Sequence, residues 1–253
     1  MQDGAYYALY SSYDRLNSET DYSAWADFFC AAFEKFGAKK ISSVLDLGCG
    51  TGAMTFELRQ RGFDMTAVDI SCDMLSVARQ RAVDTGYDDI LWLCQDMRSF
   101  ELYGTVDAAV CCLDGINHLC GAKDLGKCLS LVHNYLEPDG LFLFDVNTPY
   151  KFRTFYGDND YILEDEGVTC CWQNHYDSRR GVCDFYLSVF TRRSDGAWDR
   201  VDAVQRERCY TEKRLRGELA RAGFEILGFF GDYGFGAPKK DCERWYVIAR
   251  AKK

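Results

Sequence analysis

The apolar positions change period along the chain in an order that predicts an open α/β sheet interrupted by an antiparallel insertion. Over 21–36, Tyr22, Trp25, Phe28, Phe29, Ala32, Phe33 and Phe36 recur at helical spacing, and Gly37 supplies the stop. Val44, Leu45 and Leu47 then run apolar around Asp46, as a buried parallel strand requires. Helices are expected over 53–61 and 72–85, the second with Ser71 and Asp73 at capping positions, and strands over 64–69 and 90–94. A strand over 106–112, a helix over 123–136, a Pro138-Asp139-Gly140 turn and a strand over 141–146 continue the alternation. From 148 to about 210 the period falls to two. Cys183, Phe185, Leu187 and Val189 share one face there, with hairpin signals at 177–181 and at Asp195-Gly196. Antiparallel strands are expected over 168–176, 182–193 and 198–210. A helix capped by Thr211 and strands over 224–231 and 244–250 then restore the first pattern.

The turn between the first strand and its helix holds the first candidate chemistry. Gly48, Gly50 and Gly52 follow Leu47 with no linker, which permits tight backbone angles and lets a ligand approach the main chain at a helix N-terminus. This is a nucleotide-type site. Gly48, Gly50 and Ala53, with Asp69 some 20 residues on, also satisfy a dinucleotide fingerprint, so a nicotinamide-dependent oxidoreductase stays open. Asp46 weighs the other way. A carboxylate at the mouth of the strand repels a pyrophosphate but receives an ammonium, which S-adenosylmethionine carries.

From Asp46 to Gly52 the chain resembles the class I S-adenosylmethionine-dependent methyltransferases, whose first motif is Asp/Glu-x-Gly-x-Gly-x-Gly. The resemblance implies a Rossmann-like, seven-stranded, mostly parallel sheet with an antiparallel last strand, an inserted antiparallel β subdomain that covers the substrate, and an N-terminal helical lid. The methyltransferase domain would comprise 1–147 and 211–253, with the helical segment over 1–40 and the insertion over 148–210. It also implies that Asp46, Gly48, Cys49 and Gly50 hold the cofactor, S-adenosyl-L-methionine. Asp69, with Ile70, matches the acidic residue that binds the ribose hydroxyls, and Asp96, with Met97, the one that faces the adenine amino group. Leu113 begins the loop over 113–119 that borders the methyl group, and Tyr13 in the lid is a further cofactor contact. Tyr22, Trp25 and Asn117 are candidate substrate contacts.

A methyl donor already activated as a sulfonium needs a base only when the acceptor holds a proton. His118, in the loop after the fourth strand, is the candidate catalytic residue, a structural histidine being the competing reading. A protein that binds the cofactor without catalysis also stays open. The formal net charge of -9 argues against nucleic acid and anionic membranes as partners and favours a small-molecule methyl acceptor. No apolar run reaches the ~20 residues of a membrane span. The thirteen cysteines fall inside expected strands and helices, so reduced thiols and a cytoplasmic location are expected. Cys111-Cys112 and Cys170-Cys171 lack the two-residue gap of a zinc site, and no metal is expected. Assembly as a homodimer is left open.

Overall fold

The structure, a computed structural model, describes residues 20–253, so Tyr13 lies outside the described residues. Helix α1 (Tyr22–Phe36) starts where the Asp21 side chain accepts from the Ala24 N–H at 2.8 Å and ends at Gly37. There follow β1 (Ser43–Leu47), α2 (Ala53–Gln60), β2 (Asp64–Asp69), α3 (Cys72–Thr85), β3 (Leu91–Cys94), β4 (Val106–Cys111), a 3-10 turn (Gly115–His118), α4 (Asp124–Tyr135) and β5 (Leu136–Asn147). After a short helical stretch (Pro149–Lys151, Phe152–Tyr156) come β6 (Asp160–Asp165), β7 (Val168–Asp177), β8 (Val182–Arg192) and β9 (Trp198–Arg208). Helix α5 (Glu212–Arg221), β10 (Phe224–Phe230) and β11 (Arg244–Ala251) complete the chain.

The main sheet has the order β10-β11-β5-β4-β1-β2-β3, and β11 runs antiparallel to both neighbours. β4 is buried at every position, as a central parallel strand with both faces covered must be. On one face Leu45, Leu47, Ala109 and Phe142 pack against Leu125, Leu129 and Val132 of α4 and Leu215 and Leu219 of α5. On the other, Val44, Ala67, Val110 and Leu143 pack against the aromatic stripe of α1 and Met54, Phe56 and Leu58 of α2. Asp46 shares the parity of Val44 and so faces this second side.

The other sheet, β6-β7-β8-β9, is antiparallel throughout, and Phe185 and Cys183 pack with Phe152 and Tyr156 from the stretch that leads into it. Its outer strand β6 was not expected, because an edge strand exposed at nearly every position carries no alternation. Two other expectations are corrected. The Pro138-Asp139-Gly140 turn lies inside β5 as an outward bulge: Val106 pairs with Leu136 and Ala108 with Leu141, and Asp139 has φ 59°. The cysteines are not all free thiols, since Cys72 and Cys94 form a disulfide across a Cα separation of 5.6 Å. The pairing of Asp69 with Cys94 brings the end of β3 beside the first turn of α3.

Candidate active site

The loop after β1 is folded back onto the end of β2. Gly48 and Cys49 both donate their N–H groups to the Val68 carbonyl, at 2.7 and 3.1 Å. Asp69 then accepts from the Gly50 N–H at 2.8 Å and from the Ser71 N–H at 2.8 Å. Gly50 has φ 56° and nothing within 4 Å of where a Cβ would stand, so its backbone faces open space. Gly52 has φ 83°, and a Cβ there would meet the Trp92 ring at 2.7 Å.

Asp46 is buried at the end of β1, where the Thr55 hydroxyl donates to its carboxylate at 2.5 Å. Burial pushes its carboxyl up to about 7, against the pull of the Thr55 hydrogen bond and aided by the charge of Asp69. Among the described residues no cation pairs with it. A carboxylate kept in this condition is matched by an ammonium brought in by a ligand. Burial also raises Asp69, and raises the Cys49 thiol far enough to keep it neutral.

Two connected hollows open at the carboxyl ends of β1, β2 and β4, where ligands of open α/β sheets bind. One, of about 270 Å³, is lined by Asp46, Gly50, Tyr22, Leu113, His118 and Gln205 among others. The second, of about 200 Å³, is lined by Val68, Gln95, Asp96 and Leu119. Gly48, Asp69, Ile70, Met97 and His118 border both. Ile70 is 66% exposed, an apolar side chain left facing space beside the second hollow. A separate depression of about 810 Å³ runs over α4 and α5 and contains no residue of the glycine loop.

The wall opposite the glycines is the turn after β4. Leu113 and Asp114 both take left-handed φ, 51° and 52°, conformations a non-glycine residue holds only when its surroundings enforce them. The enforcement is polar. The Asp114 N–H donates to Asp145 at 2.9 Å, the Arg244 guanidinium bonds Asp114 at 2.9 Å, and Arg244 also pairs with the fully buried Asp145. Burial opposes ionisation of Asp114, but Arg244 and Lys151 hold its carboxyl below the usual range. Glu207, from β9 of the second sheet, reaches the same place, bonded by the Asn147 amide at 3.0 Å. Burial and the charge of Asp114 push the Glu207 carboxyl well above its ordinary range. A carboxyl oxygen of Asp114, a ring nitrogen of His118 and a carboxyl oxygen of Glu207 all lie within 4.8 Å of one another.

Residues 44–140 match the family described as a methyltransferase domain. Over 238 residues the chain is 30% identical to a Geobacillus sp. (strain WCH70) protein named as a methyltransferase, which covers 94% of this chain and 96% of that one. The chain belongs to the S-adenosylmethionine-dependent methyltransferases. This methyltransferase is also 27% identical over 249 residues to the glycine/sarcosine N-methyltransferase of Halorhodospira halochloris, with 95% of this chain and 85% of the relative covered. Its fold superimposes on a S-adenosylmethionine-dependent methyltransferase from Clostridium acetobutylicum ATCC 824 with a TM-score of 0.87 and 29% identity, covering 97% of each chain. The cofactor is therefore S-adenosyl-L-methionine.

Around the glycine loop the methyltransferase places Asp46, Gly48, Cys49, Gly50, Asp69, Ile70, Asp96, Met97, Leu113, Tyr22 and His118 on the two hollows. Asp96 is held there by Arg98, whose N–H and guanidinium bond both its oxygens. Trp25 and Asn117 border neither hollow. Trp25 lies on the packed face of α1, with ring centroids 6.2 Å from Phe29 and 5.7 Å from Tyr246. Asn117 is fully buried and both ends of its amide are spent on the main chain, accepting from the Asn147 N–H at 3.0 Å and donating to the Arg208 carbonyl at 2.8 Å. Sequence reasoning missed Asp114, Asp145, Glu207 and Arg244. Asp145 carried a signal of the same kind as Asp46, a carboxylate within an apolar strand.

Proposed function

We propose that this methyltransferase moves the methyl group of S-adenosylmethionine to a nitrogen or oxygen of a small-molecule acceptor, an amine before all others, and that His118 accepts the acceptor's proton. The observation that carries the reading is the continuity of the 270 Å³ hollow from Asp46 and Asp69 to Leu113, His118 and Gln205. In this reading Asp46 receives the cofactor's ammonium, and Gly48, Cys49 and Gly50 lie along its main-chain side. Asp69 takes the ribose hydroxyls, while Ile70, Asp96 and Met97 enclose the adenine. Tyr22 stands over the donor end, where it would meet the acceptor. When bound, the cofactor supplies an electrophilic methyl on sulfur; the acceptor gains it and gives up one proton, and a neutral thioether nucleoside remains. What the chain adds is alignment, exclusion of water and a place for the proton.

An amine acceptor is supported by the relative named for glycine and sarcosine. A cytoplasmic location belongs to the same reading, supported by eleven unpaired cysteines. Assembly as a monomer or homodimer is decided by sedimentation. The experiment is calorimetric titration with S-adenosylmethionine and with NAD, followed by turnover screens over amines, phenols and sugars that measure S-adenosylhomocysteine. Selective uptake of NAD sinks the reading. Cofactor binding with no turnover of any acceptor class leaves a cofactor-binding protein in its place.

A further inference from the structure

His118 is the last residue of the turn that Asp114 begins, and its imidazole makes no direct ion pair with either neighbouring carboxyl. The nitrogen lies nonetheless within 4.8 Å of both Asp114 and Glu207, a gap that one water or one ring rotation closes. Those two carboxyls are held from opposite parts of the molecule. Arg244 of β11 fixes Asp114, and Asn147 of β5 fixes Glu207 of β9. Glu207 is 4% exposed, so it lies behind the surface of the hollow rather than on it. Burial and the charge of Asp114 raise the Glu207 carboxyl while Arg244 and Lys151 lower that of Asp114, so the pair favours a single charge shared between them.

We propose that Asp114 and Glu207 are positioning residues that orient the His118 imidazole, so that one ring nitrogen faces the carboxyl pair and the other faces the methyl acceptor. The inserted sheet thereby completes the proton-accepting device as well as covering the site. The inference rests on the role given to His118 above. A base works only in the tautomer that leaves its lone pair toward the proton it takes, and a carboxylate behind the ring selects that tautomer. The Asp114 carboxylate stands within 4.8 Å of the ring nitrogen on a turn of positive φ, and Arg244 and Asp145 pin that turn in place.

The test uses the full chain with S-adenosylhomocysteine bound and its histidine rings labelled with nitrogen-15. Only three histidines contribute signals. In the wild type, one His118 nitrogen should read as N–H and the other as a bare lone pair. Asp114→Asn, chosen because asparagine tolerates the left-handed backbone, should average the two toward a mixture. Glu207→Gln keeps a neutral donor and should preserve the wild-type pattern, whereas Glu207→Ala should lose it. Unchanged cofactor affinity in the calorimeter shows that each variant is folded. On any amine the screen turns over, Glu207→Ala should lower kcat by about a hundredfold with KM for the cofactor unmoved, and Glu207→Gln should restore most of it. An identical ring pattern in all three variants overturns the proposal, as does a divalent-cation requirement that EDTA abolishes. If instead His118→Ala retains full turnover, the reading of His118 as base fails, while the ring pattern of the wild type still reports on the pair.

Discussion

Burial raises the Asp46 carboxyl to about 7, which on the function proposed above makes Asp46 a reporter of cofactor binding. Its proton is bound more tightly in the folded chain than in the unfolded one, where an aspartate titrates near its ordinary value. Asp46 therefore contributes least to stability above about pH 7. The loss sets in as the pH rises from about 4, and it levels off above the folded value. Bringing a ligand ammonium against the carboxylate favours the charged form and expels the proton. Calorimetry in buffers of different ionisation enthalpy should thus show release of most of one proton at pH 6 and little at pH 8. Asp46→Asn should abolish that release and weaken S-adenosylmethionine binding by about 10- to 100-fold, the loss of a charge-assisted hydrogen bond of roughly 1.5–3 kcal/mol. Asp46, Gly50 and Asp69 were legible from residue type and spacing because the chain neighbours that shape the loop are also its neighbours in space. Glu207 was not, since 93 residues separate it from Asp114 and the β8–β9 pairing that aims it inward has no local signature.

Among the elements, those with an apolar run or an apolar face were readable from hydropathy alone, and those whose meaning depends on a partner were not. The alternation in Cys183, Phe185, Leu187 and Val189 announced β8, while β6, exposed along nearly its whole length, announced nothing. The same distinction applies to the joint between β5 and β11. Asn147 pairs with Arg244 across that joint, and Arg244 reaches on to Asp145 and Asp114. The Asp145 side chain is wholly buried, so removing the guanidinium strands a charge away from water. Arg244→Met should cost about 3–5 kcal/mol in denaturant unfolding. Adding Asp145→Asn should return a large part of that loss, because the amide has no charge to strand. Equal stability of the single and double variants would show that the pair is not what holds this joint.

At the scale of the whole molecule, the disulfide ties together the two loops that carry Asp69 and Asp96 to the smaller hollow. Cys72 opens α3 after Asp69 and Ser71, and Cys94 closes β3 just before Asp96. Nothing in the sequence marks these two among thirteen cysteines; only the register of β2 with β3 brings them together. The bridge spans a sequence separation of 22, and closing a loop of that size in the unfolded chain is worth about 3 kcal/mol on the chain-entropy account. For a chain of this length that corresponds to roughly 6–12 °C in the midpoint of thermal unfolding. Treatment with dithiothreitol should lower the midpoint by that amount, and Cys72→Ser should sit at the reduced value with or without reductant. Alkylation of the unfolded, unreduced protein should count eleven thiols and rise to thirteen after reduction. Thirteen thiols from the outset, with a midpoint indifferent to dithiothreitol, would mean that the loops around Asp69 and Asp96 are held by the sheet and their own hydrogen bonds alone.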